Sequence, residues 1–166
     1  MRQFPKLAEP QRISLVFIVV GLLAGCSIHH KPHALMVQMC LKNDQGVSDF
    51  LNLMQTVAVS EHMNFVDYSA ETQEKLKTIN AKYAKLATPS SVINVDIVSG
   101  DRLVVTADNL DLPIYQVSVD FTGDLPPADT QRFIDVLVPR IREQWEVEVV
   151  PAGSSPAPIK TCPGPV

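Results

Sequence analysis

The segment Ile93 to Asp108 reads INVDIVSGDRLVVTAD: it alternates, turns and alternates again. Ile93, Val95 and Ile97 are apolar, with Asn94 and Asp96 between them; Leu103, Val105 and Ala107 repeat the pattern on the way back. A period of two places the apolar set on one face of a strand and the polar set on the other. Ser99-Gly100-Asp101 has the composition of a hairpin turn. After DNLDLP the pattern returns, with Tyr115, Val117, Val119 and Phe121 separated by Gln116, Ser118 and Asp120. Three such strands in succession predict an antiparallel meander with one face in the core and the other wet and free of helices.

Upstream, LMVQMCL at 35–41 is a compact apolar run and reads as a strand. NDQG then reads as a turn, and Val47, Phe50, Leu51, Met54, Val57 and Ala58 recur at helical spacing, predicting an amphipathic helix over roughly 46–62. Asn64 to Ser69 is a short strand. Ser69 is placed to cap a second helix, with Glu71 in its first turn, a Glu71–Lys75 pair on its surface, and Leu76, Ile79, Tyr83 and Leu86 along one face up to Pro89. Downstream, Phe133, Val136, Leu137, Ile141 and Trp145 mark a third helix, with a kink expected near Pro139, which lacks an amide donor. Glu146 to Val150, EVEVV, is a last alternating strand. The order β-α-β-α-β-β-β-α-β predicts a single α+β domain over 35–150: a mainly antiparallel sheet with about three helices packed on one face.

The N-terminus follows a different logic. Arg2, Lys6 and Arg12 precede an uncharged run from Ile13 to Ala24, which ends in small residues. That is the anatomy of a secretory signal peptide, and the run is too short to span a bilayer, which takes about 20 residues of helix. Leu23-Ala24-Gly25-Cys26 resembles the lipobox of bacterial lipoproteins. The resemblance covers residues 1–27. It implies that residues 1–25 are cleaved and that Cys26 is lipidated, with palmitate-type acyl chains holding the protein on the bilayer. Two or more chains anchor durably, since each buried CH₂ contributes about 0.8 kcal/mol. Ser27 stands where members retained in the inner membrane often carry Asp, which implies the outer membrane, facing the periplasm. Residues 26–34 form the tether; His29, His30 and His33 in it have no acidic or cysteine ligand at site-like spacing and are read as solvated.

Residues 1–25 hold three basic residues and one acid, so the net charge of −4 becomes −6 without them. A domain this acidic has no electrostatic footprint for nucleic acid and suits a basic partner or simply solubility. Of three cysteines, Cys26 goes to lipid, and Cys40 and Cys162 remain. An even remainder in an exported chain reads as one disulfide. It would fasten the tail 151–166, which holds five of the thirteen prolines and reads as extended, with Cys162 its one fixed point.

The chain carries no glycine-rich phosphate loop, nucleophile elbow or Cys-x-x-Cys pair. Ser60-Glu61-His62 has triad residue types, but three consecutive helical residues point apart. Asp96, Asp101, Asp108, Asp111, Asp120 and Asp124 lie between 94 and 124 against one base, Arg102. Local turn chemistry explains several of them; together they are also the expected acidic surface for a basic partner. No catalytic residue, metal or cofactor is assigned. The expected function is a membrane-anchored, non-catalytic envelope lipoprotein that binds a protein, in one form an immunity or inhibitor protein. The alternatives are an accessory subunit of an envelope assembly or secretion machine and, third, a carboxylate-dependent hydrolase.

Overall fold

Alternation of apolar and polar residues builds the sheet. The computed structural model describes residues 34–82, 92–110, 112, 115–122 and 124–163. Within them the order is β1 (Leu35–Cys40), α1 (Asp44–Ser60), β2 (Asn64–Asp67), α2 (Ser69–Lys82), β3 (Asn94–Ser99), β4 (Arg102–Asp108), β5 (Gln116–Phe121), α3 (Pro127–Arg142) and β6 (Val147–Val149). The six strands form one sheet in the order β2-β3-β4-β5-β1-β6, and every pairing is antiparallel. This is the α+β domain expected. The signal segment, Cys26, the histidines of the tether, Asp111, Tyr83, Leu86 and Pro89 lie outside the described residues.

Val37 and Met39 of β1, Val95 and Ile97 of β3, Val105 and Ala107 of β4, and Val117, Val119 and Phe121 of β5 are buried. They meet Phe50, Met54 and Val57 of α1 and Phe133, Leu137 and Ile141 of α3 in one core. Each large side chain so buried contributes about 1.5–3 kcal/mol. Phe121 packs against Phe133 at a tilt with ring centroids 6.4 Å apart, and Phe50 meets Trp145 edge-on at 6.0 Å. α3 runs through Pro139 without a break. α2 contributes less: Leu76 is half-buried and Ile79 is exposed.

Several boundaries differ from the sequence reading for local reasons. NDQG is a cap and a first turn: Asn43 Oδ1 accepts from the Gly46 N–H at 2.9 Å, so α1 begins at Asp44. α1 ends in a Schellman motif, with the Met63 N–H on the Ala58 carbonyl (2.8 Å), the His62 N–H on the Val59 carbonyl (3.1 Å), and His62 left-handed at φ 58°. The Ser69 hydroxyl accepts from the Asn94 N–H at 3.0 Å and ties α2 to β3, while Asp67 Oδ1 takes the Ser69 N–H at 2.8 Å. The Glu71–Lys75 pair is present at 2.6 Å. Gly100, at φ 64°, makes the hairpin turn. Ile97 lies opposite Val105 and Val98 opposite Leu103, which leaves Val104 as the extra residue of a β-bulge. Val104 is therefore buried and Leu103 half-buried, where simple alternation assigns Leu103 to the core.

Candidate functional site

The face of the sheet turned away from the core carries most of the polar positions of β1, β3, β4, β5 and β6, with Met36 and Val66 among them. At its β3 end the Asn94 amide donates to Thr72 Oγ1 of α2 at 2.9 Å. Register places Asn94, Asp108, Ser118, Gln38 and Glu148 in one row across β3, β4, β5, β1 and β6. A second row runs Asp96, Thr106, Asp120, Met36. Strands lie about 4.8 Å apart and same-face residues about 7 Å apart along a strand. Asp96, Asp108 and Asp120 therefore share a small area of this face. Thr106 Oγ1 donates to Asp96 Oδ1 at 2.9 Å, and the Ser118 hydroxyl donates to the Asp108 carbonyl at 3.3 Å. The Leu110 N–H donates to Asp108 Oδ1 at 3.2 Å, which makes Asp108 a turn former as well. Asp101 is exposed in the β3–β4 turn, and Asp124 is half-buried in the turn before α3. The six expected aspartates thus divide. Three share the face, two sit in connecting turns, and Asp111 is outside the described residues.

Part of this face is dry. Gln116 and Ser118 are buried, as is Gln38. The cover is the C-terminal tail, which is held at more points than Cys162. Gln116 Nε2 donates to the Ala157 carbonyl at 2.8 Å, and Gln116 Oε1 accepts from the Ile159 N–H at 2.7 Å. Gln38 Oε1 accepts from the Ala157 N–H at 3.1 Å and from Gln116 Nε2 at 3.2 Å. A carboxamide offers both a donor and an acceptor, so it pairs with an extended backbone as another strand would. The Cys40–Cys162 disulfide, with Cα atoms 5.4 Å apart, closes the far end. The tail is a strap on the sheet.

Where the strap meets the sheet edge there is a groove of about 520 Å³. Cys40 and Lys42 line it from β1 and the turn after it; Gln144, Trp145, Glu146 and Glu148 line it from the α3–β6 connection and β6; Ile159 and Thr161 line it from the strap. Lys42 has φ 70°, and the Asn43 N–H bonds back across it to the Leu41 carbonyl at 2.9 Å. A lysine at the centre of such a γ-turn is strained. Glu148 Oε2 accepts from Gln38 Nε2 at 2.9 Å. No protein-family model matches this chain, and it matches no curated protein and no solved structure.

Ser60, Glu61 and His62 do not form a relay. The Ser60 hydroxyl donates to the Val57 carbonyl at 2.9 Å, and Glu61 faces Arg132 of α3 at 3.7 Å. Among the described residues no three His, Cys, Asp or Glu side chains gather as a metal site, and no helix is long and apolar enough to cross a membrane. Sequence reasoning missed the groove because its walls come from 40–42, 144–148 and 159–161, segments joined only by the fold and the disulfide. The one sequence signal that bears on it is the pair Cys40 and Cys162, which brings the strap to the end of β1.

Proposed function

We propose that this protein is an envelope lipoprotein, anchored through acylated Cys26 and displayed from the outer membrane into the periplasm. Its domain acts as a non-catalytic module that binds a basic protein, in the manner of an immunity or inhibitor protein. The observation that carries the reading is the shared placement of Asp96, Asp108 and Asp120 on the face of the sheet turned away from the core. Three carboxylates gathered on one face of an acidic chain suit a protein of opposite charge. The lipobox at 23–26 and the net negative charge support the same reading.

The test is a pull-down with the full chain, tagged at its C-terminus, from envelope and secreted fractions, with elution by salt. A single stoichiometric basic protein, whose dissociation constant rises several-fold from low to high salt, is the expected result. An affinity indifferent to salt, or a set of machine subunits in its place, overturns the reading.

A further inference from the structure

β6 ends the sheet, and its sequence makes that edge selective. The Val150 N–H donates to the Met36 carbonyl at 3.0 Å, and Glu148 lies opposite Gln38. Backbone groups alternate in direction along an antiparallel ladder. Those of Glu148 and Val150 therefore turn to β1, and those of Val147 and Val149 turn out to the open edge. Side chains alternate at right angles to this. Glu146 and Glu148 stand on the groove side, and Val147 and Val149 on the helix side. Val149 is 54% exposed, an apolar side chain uncovered at the rim of the core.

We infer that the β6 edge and its groove bind an extended segment of a partner protein in which basic and apolar residues alternate, by strand addition. A sixth strand pairing, beyond β6, would take the outward N–H and C=O groups of Val147 and Val149. Directly opposed side chains on one face lie about 4.5–5.5 Å apart. The added strand therefore presents Lys or Arg to Glu146 and Glu148, and apolar residues to Val147 and Val149. The aliphatic stem of each cation rests in the groove against Trp145 and Ile159, which also line it. Lys42 also lines the groove and repels a basic residue placed next to it. A second copy of the chain is the wrong occupant: with the faces of the two sheets aligned, Glu would oppose Glu. The inference rests on the protein-binding reading above and adds to it a separate contact at the sheet edge and the chemistry of the segment that edge takes.

The experiment uses the full chain in neutral detergent and two capped heptapeptides, one containing Lys-Val-Lys-Val and one Glu-Val-Glu-Val, followed by amide NMR shifts at low salt. Binding of the lysine peptide alone is expected, with shifts concentrated at residues 145–149. Val149→Pro removes one outward donor and leaves the β1 ladder whole; it weakens binding at least tenfold with the remaining spectrum unchanged. The double change Glu146→Lys and Glu148→Lys reverses the preference, so that the glutamate peptide binds. Equal binding of both peptides, insensitivity to Val149→Pro, or no binding at all overturns the inference. Shifts centred on Asp96, Asp108 and Asp120 also overturn it, while leaving the acidic-face reading to stand on its own pull-down. A captured basic partner that ignores Val149→Pro separates the two in the same way.

Discussion

Gln116 and Ile159 are 43 residues apart, yet the side-chain oxygen of Gln116 accepts the backbone N–H of Ile159 at 2.7 Å. The same carboxamide donates to the Ala157 carbonyl at 2.8 Å, so one buried side chain holds two points of the strap. Gln116→Leu keeps the bulk and removes both bonds. The strap backbone there then depends on Gln38 alone. A loss of about 1–3 kcal/mol is expected in urea unfolding under oxidising conditions. Amide exchange at Ala157 and Ile159 should quicken more than exchange in β1.

The disulfide closes a loop with a sequence separation of 122. In the chain-entropy model a loop of that length stabilises the fold by about 5 kcal/mol. The double variant Cys40→Ser and Cys162→Ser is expected to lose most of that stability, measured by denaturant midpoint and slope. The slope should also rise, because the unfolded chain is no longer cross-linked and exposes more surface. A loss below about 1 kcal/mol would mean that Gln38, Gln116 and the Val150–Met36 bond hold the strap by themselves.

What was legible in the sequence follows from periodicity. The three strands of the meander, the core faces of α1 and α3, and the antiparallel sheet are all carried by apolar spacing, which burial of one face requires. Proline-rich sequence has no period, so along the strap only Cys162 carries a sign of attachment. The strap's partners, Gln38 and Gln116, sit at positions where alternation predicts water. Polar residues on the second face of a sheet look the same whether they meet solvent or a segment from a hundred residues away. The candidate site divides along the same line. Asp96 and Asp120 could be assigned to one face from their place in the alternation. The turn sequences around Asp101 and Asp124 likewise place those two in connections, whereas Asp108, in an equally turn-like sequence, ends β4 and joins Asp96 and Asp120 through strand pairing, which no spacing encodes.

Gly46 sits where the first turn of α1 passes the end of β1. A methyl group built there would collide with the Leu41 carbonyl oxygen and lie 3.0 Å from its carbon. Both obstacles are backbone and cannot rotate away. Alanine is the better helix former by about 1 kcal/mol, so propensity alone predicts that Gly46→Ala stabilises. The opposite is expected: a loss of about 1–3 kcal/mol from overpacking, read from thermal unfolding. Because Leu41 adjoins Lys42 of the groove, NMR shifts should spread to Cys40 and Lys42 in this variant.

The bulge in β4 makes the sharpest contrast between pattern and structure. Leu103-Val104-Val105 is apolar throughout, so alternation cannot say which residue is extra. Pairing identifies Val104, which has no partner in the register with β3 and is fully buried. Val104→Thr keeps the shape and places a hydroxyl in an apolar setting, which costs about 1–3 kcal/mol. Val98, on the strand opposite, is half-buried and faces away from the core. Val98→Thr is expected to cost less than half as much, since its hydroxyl keeps access to water. Urea midpoints of the two variants, measured side by side, decide between the bulge and a regular ladder: in a regular ladder Val104 would point away from the core and the two costs would match.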